Sequence, residues 1–186
     1  MTTTGSVSPR RADTRRNNER ILAAALETLA SSDGLSYNTI AKKACVGVGT
    51  VYRHFPTPEA LVLAVYQREV QHLLDVVPDL LATHPPERAF RIWTSHLASY
   101  MMTKRGLANA LSTSAYQDMT AGTYDAMLDA ITTLLDACVK AGAVRRGLDP
   151  RLVMLGFAGL MHLDKEGDWQ RQTEDLTDLI WHGLHS

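Results

Sequence analysis

The spacing of apolar residues constrains this chain more than any other feature. Across its 186 residues they recur three and four apart, and no window alternates Val, Ile, Thr and aromatic residues with period two. An all-α chain of about nine helices follows. The first runs from about Arg15, with Ile21, Leu22, Ala25, Leu26 and Leu29 on one stripe, and ends at Ser31-Ser32-Asp33-Gly34. Others are expected at 37–44, 48–54, 58–77 (stopped by Pro78), 86–103, near 106–112, 121–141, 150–164 and 170–184. Hydrophobic residues at 45 % and charged residues at 21 % are ordinary for a chain that buries a core without staples. Cys45 and Cys138 form no C-x-x-C pair, which fits a reducing compartment. No uninterrupted apolar run reaches 18 residues, and no apolar stretch follows the basic N-terminus. Neither a membrane span nor a secretory signal is therefore expected, and the cytoplasm is the expected location.

Charge is divided unevenly. Residues 1–56 hold 8 Lys and Arg against 4 Asp and Glu, whereas residues 57–186 hold 11 against 16. An anionic partner is therefore expected for the first third only. Residues 1–13 read as a mobile arm, 14–56 as a first helical domain and 57–186 as a second.

Residues 36–55, SYNTIAKKACVGVGTVYRHF, carry the strongest signal. Ser36 can cap one short helix, Cys45-Val46-Gly47 makes a tight break, and two further turns run to His54, giving a helix-turn-helix. Ile40, Ala41, Val46 and Val51 face inward. Val48, Gly49, Thr50, Tyr52, Arg53 and His54 face outward, offering small, hydroxylic, aromatic and cationic groups to thymine methyls, base edges and phosphates. Arg15 and Arg16 would oppose the dipole at the start of the first helix unless an anion such as a phosphate lies nearby. Thr57-Pro58-Glu59 starts the next helix with a capping hydroxyl, a proline at the first position and an acid at the positive end.

From Arg15 to Val65 the chain resembles the tetracycline-repressor (TetR) family, in E-R-I-L-A-A-A-L at 19–26, G-L-S-Y-N-T-I-A at 34–41 and G-V-G-T-V-Y-R-H-F at 47–55. The resemblance implies that the third helix reads the major groove, that Tyr52 and His54 touch phosphates, and that Tyr37 lies among the contacts at the start of the second helix. Two positions depart from the family pattern. Cys45 stands where glycine is usual, a choice that costs roughly 1–2 kcal/mol if the backbone is left-handed there. Pro58 stands where a lysine commonly reaches the DNA backbone, leaving Thr57 and the free N–H groups of the helix start to replace it.

The remainder looks like the family's ligand-binding and dimerisation domain. Trp93, His96, Tyr100, Met127, Phe157 and Met161 are candidate lining for an apolar pocket. Few charged residues fall on those faces, so the expected ligand is hydrophobic and neutral or weakly charged. Leu155, Gly156, Gly159 and Leu163 form one closely approachable face, and Leu176, Ile180 and Gly183 another, which together predict a four-helix dimer interface. The function that follows is a homodimeric repressor on a palindromic operator of double-stranded DNA, released by a small molecule. An activator or dual regulator, or control by a protein partner, stays open. No nucleophile elbow, phosphate loop or carboxylate pair points to an enzyme. His162, Asp164, Glu166 and Asp168 lack a metal-ligand spacing, so neither metal nor cofactor is expected.

Overall fold

The computed structural model describes residues 9–30, 35–108, 123–164 and 167–185, and among them every regular element is helical. They are α1 (Pro9–Ala30), α2 (Tyr37–Ala44), α3 (Val48–His54), α4 (Pro58–Thr83), α5 (Pro86–Ala108), α6 (Thr123–Lys140), α7 (Pro150–Gly156), a 3₁₀ turn η1 (Phe157–His162) and α8 (Trp169–Leu184). Residues 1–8, the turn expected at 31–34 and most of the short helix expected near 106–112 lie outside the described residues, although 106–108 continue α5.

Two compact units emerge, Met1–Arg68 and Glu69–Ser186, so the division falls inside α4 and not at residue 56. The reason is that Leu61 and Val65, on the first turns of α4, complete the core of the first unit. That core joins Ile21, Leu22, Ala24 and Ala25 of α1 to Ile40, Ala41 and Ala44 of α2 and to Val51 and Phe55. Alanine at four of these positions lets α1 and α2 approach closely. Each fully buried large aliphatic residue, Ile21, Ile40 and Leu61 among them, contributes about 1.5–3 kcal/mol relative to exposure.

α1 begins at Pro9, within the segment expected as an arm, because proline suits a first helical position. Arg15 and Arg16 consequently sit more than a turn inside the helix. Arg16 pairs with Asp13 at 2.6 Å.

The second unit is built on α5. Phe90 lies between Phe157 and Trp181, with ring centroids 5.8 and 5.3 Å away. Ile131, Leu134 and Cys138 of α6 are fully buried, as are Leu97 and Leu160. Burial, with Glu87 nearby, pushes the Cys138 thiol up to about 11, so it stays protonated as a small apolar filler. Arg91 closes the edge of this cluster: it stacks over Trp181 at 5.4 Å and pairs with both Glu87 and Asp178.

Two further helices differ from expectation. Pro78 does not stop α4, which continues to Thr83. Proline removes one N–H donor and costs about 3 kcal/mol inside a helix, but Leu73, Val77 and Leu80 around it are buried and hold the continuation in place. The helix expected over 150–164 is α-helical only to Gly156 and then tightens to 3₁₀. In that geometry residues three apart eclipse, so Phe157 and Leu160 enter the core together. Caps fix the ends: Asp149 accepts from the Arg151 N–H at 2.9 Å and Asp168 from the Arg171 N–H at 3.2 Å.

Candidate functional site

α2 and α3 are too short to persist alone, and a small set of contacts holds them. The Thr39 N–H donates to Ser36 Oγ at 3.4 Å, capping α2. Cys45 ends it with φ 54° and ψ 45°, a left-handed backbone that turns the chain toward α3. The Val46 N–H returns to the Ala41 carbonyl at 3.0 Å, closing the turn. At the far end the Tyr37 hydroxyl donates to the Phe55 carbonyl at 2.9 Å, so the first residue of α2 pins the last turn of α3. The Tyr37 and Tyr52 rings meet at 4.7 Å.

Tyr37 therefore sits differently from the DNA contact expected of it. It is only 8 % exposed, and its hydroxyl is committed to the protein backbone. Burial, then Tyr52 and Glu59, raises its pKa above the usual tyrosine value. Its place is beneath α3, against the Tyr52 ring.

The other expected residues present an open face. Tyr52 is 56 % exposed, Val48, Gly49, Arg53 and Thr57 are exposed, and Thr50 and His54 are half-buried. A side chain at Gly49 would meet nothing within 4 Å. Arg53 folds along α3, donating to the Gly49 carbonyl at 3.2 Å and to Thr50 Oγ1 at 3.1 Å. Thr57 Oγ1 accepts from the Ala60 N–H at 3.2 Å, capping α4 with Pro58 at its first position. Arg15 and Arg16 are exposed on α1.

In the second unit, a cavity of about 290 Å³ opens between the C-terminal part of α5, the start of α6 and the α7–η1 segment. Tyr100, Met127, Phe157 and Met161 line it as expected, joined by Met101, Lys104, Thr123, Tyr124, Met154, Leu155 and Ala158. Trp93 and His96 do not. Trp93 is fully buried and its indole N–H donates to the Leu73 carbonyl at 3.0 Å, while His96 packs on His72 at 5.7 Å. Trp93 and Tyr100 share a face of α5, but seven residues separate them by about 10 Å along the axis, and the cavity lies at the Tyr100 level. His96 keeps one buried ring nitrogen, Nδ1, without a hydrogen-bond partner. Burial, with His72 adding to it, lowers its pKa.

The two faces expected at a dimer interface meet each other within the chain. A Cβ at Gly156 would lie 3.6 Å from Ile180 Cδ1, and one at Gly159 would lie 3.2 Å from Leu176 Cδ2, so these glycines let α8 approach α7 and η1. Leu163 is buried and leaves the outward set. What remains outward is apolar nonetheless: Leu152, Leu155 (68 % exposed) and Leu179 (70 % exposed), with Gly183 also exposed.

Comparison with known proteins decides what this helix-turn-helix belongs to. Residues 21–65 match the model for bacterial regulatory proteins of the tetR family, and residues 85–186 match that for the SbtR-like transcriptional regulator C-terminal domain. The chain belongs to the TetR family. A TetR transcriptional regulator from Streptomyces coelicolor is 37 % identical, with 90 % of this chain and 98 % of that one covered, at a TM-score of 0.81. A TetR regulator from Mycobacterium vanbaalenii is 31 % identical over 96 % of this chain and all of that one, with a TM-score of 0.78. FadR from Bacillus subtilis, solved with stearoyl-CoA, is 19 % identical over 90 % of this chain and 99 % of that one at a TM-score of 0.61, a likeness of fold alone. No curated protein matches the chain.

As a TetR-family transcriptional regulator the chain binds DNA and is not an enzyme. No helix among the described residues is long and apolar enough to cross a membrane. Sequence reasoning missed Lys104 and Met154 as lining, and Leu152 and Leu179 as outward apolar residues. The signal for Lys104 was available: it lies four residues beyond Tyr100, one turn along the same face of α5.

Proposed function

We propose that this TetR-family chain is a homodimeric repressor, acting in the cytoplasm, that a small hydrophobic ligand releases from a palindromic operator. The outward face of α3, with Val48, Gly49, Thr50, Tyr52 and Arg53 free of the core, carries the reading. Val48 and Thr50 suit thymine methyls and base edges. Tyr52, Arg53 and His54 suit phosphates, with Thr57, Arg15 and Arg16 at the margins. One such helix covers a half-site, so two copies on a two-fold axis would read an inverted repeat with half-sites about 34–36 Å apart, or a multiple of that spacing.

The exposed leucines of α7 and α8 support the second copy, because so much outward apolar surface on two neighbouring helices favours burial against a like face. The cavity beside α5 supports an effector. To relieve repression a ligand must prefer the arrangement that does not fit DNA. A coupling of about 1–3 kcal/mol would weaken operator binding about 5- to 150-fold, and DNA would weaken ligand binding equally.

Selection of duplexes from a random pool, followed by transcription from a promoter overlapping the selected site, tests the proposal. An enriched inverted repeat and lowered transcription are expected. Enrichment of an asymmetric site would refute the two-fold reading, and raised transcription would refute repression.

A further inference from the structure

The cavity beside α5 is lined with sulfur. Met101 of α5, Met127 of α6, Met154 of α7 and Met161 of η1 all reach it, one methionine from each of the four segments that border it. Among the described side chains one further methionine, Met102, lies elsewhere. The solid core of the same unit is filled differently: its fully buried aliphatic residues, among those described, include Leu73, Leu97, Ile131 and Leu134, and no methionine. We infer that the effector is a compact aromatic molecule of one or two fused rings, whose edge meets the Met127 and Met154 thioethers while Phe157 packs against it. This rests on the effector reading above and narrows its hydrophobic ligand to one chemical class.

Three considerations carry it. Leucine covers a hydrocarbon as well as methionine does and is the better-defined filler, so apolar burial alone does not call for four thioethers around one space. A thioether gains with an aromatic ring what it cannot gain with a saturated one, because its polarizable sulfur is attracted to the positive ring edge at about 5 Å. Four segments each supplying one sulfur suit a flat body, which presents an edge all round its perimeter. The volume sets the size: at about 290 Å³ the cavity is roughly twice the apolar void that holds a single benzene ring, leaving room for a second fused ring or a short substituent.

Calorimetric titration of the full-length protein with two matched pairs tests this: 2-naphthol against decahydro-2-naphthol, and 4-phenylbutanol against 4-cyclohexylbutanol. Each pair shares its hydroxyl and carbon skeleton, and the saturated member is the more hydrophobic, so burial alone predicts that it binds as tightly or more tightly. Sulfur–ring contacts reverse that order, and each aromatic member should bind about 3- to 30-fold tighter than its saturated counterpart. Met127→Leu combined with Met154→Leu conserves volume; it should remove most of that preference and leave the affinity of the saturated ligands within about 3-fold. Should the double variant fail to fold, Met127→Leu alone gives the same reading in smaller measure. Saturated ligands that bind as tightly as the aromatic ones would overturn the aromatic class and leave the effector reading standing. A preference that survives the leucine substitutions undiminished would remove the thioethers as its source and overturn the inference. Absence of binding by all four probes would overturn the cavity as an effector site, and this inference with it.

Discussion

Replacing Cys45 by glycine should stabilise the protein, against the usual direction of such a change. Cys45 turns α2 toward α3 at φ 54°, a conformation that costs an L-residue about 1–2 kcal/mol. Glycine adopts it freely but forfeits about 0.5–1 kcal/mol through the extra freedom of its unfolded chain. The side chain removed is exposed and makes only a long contact, 3.9 Å from Sγ to the Lys43 carbonyl, so little packing is lost. The difference is a net gain of up to about 1.5 kcal/mol, centred near 0.75, or roughly 2–3 °C in melting temperature for a chain of this size. Cys45→Ala serves as the control: it keeps the strained backbone and removes the thiol, and should lie within about 0.5 kcal/mol of the starting protein. Thermal denaturation followed by circular dichroism measures all three. Should the alanine variant gain as much as the glycine one, the thiol would be the source of the penalty and the backbone argument would be wrong.

Four further outcomes can be checked. Tyr52→Ala and Arg53→Ala should weaken operator binding, with the melting temperature unchanged in Arg53→Ala and lowered by only a few degrees in Tyr52→Ala as the Tyr37 ring contact is lost, and loss of one phosphate contact should lower the salt slope by about one; anisotropy titrations at several salt concentrations read the binding changes. Tyr37→Phe strips the Phe55 carbonyl of its donor, and chemical denaturation should register about 1–2 kcal/mol lost, together with weaker DNA binding as α3 loosens. Leu179→Glu should dissociate the dimer by burying an unpaired charge, so light scattering that still gives a dimer of unchanged affinity would place the interface elsewhere. His96 has a depressed pKa in the folded protein, so the unfolded chain binds the extra proton first; its contribution is complete above about pH 6.5 and fades as the pH falls toward the folded value. Melting temperatures at pH 7.5 and 5.5 should therefore differ less in His96→Phe than in the starting protein.

Much of the DNA-binding unit is legible in the sequence because its signals are local. Ser36 and Thr57 cap within three residues of themselves, and Ile40, Ala41 and Val51 bury where their spacing puts them. Tyr37 escaped because its decisive partner, the Phe55 carbonyl, lies 18 residues away and has no side-chain signature. The cavity was half legible for a similar reason. Periodicity assigns Trp93, His96 and Tyr100 to neighbouring positions on one helix, but which height along α5 meets a void depends on where α6 and η1 cross it. Pro78 misled because a rule about one backbone donor was outweighed by the burial of Leu73, Val77 and Leu80. Gly156 and Gly159 signalled close approach correctly, but sequence alone could not say that the approaching helix was the chain's own α8.

The seven residues of α3 divide their labour in a way that bears on how such regulators diverge. Val51 alone is buried, while Gly49 faces open space and Val48 lies outside the core. If α3 reads DNA as proposed, substitutions at Val48 and Gly49 would change what the helix says to a base pair without touching what holds it in place. On that proposal new operators would lie within reach of one or two codon changes at almost no cost in folding, so a duplicated copy of this gene could acquire its own target before its scaffold had drifted at all.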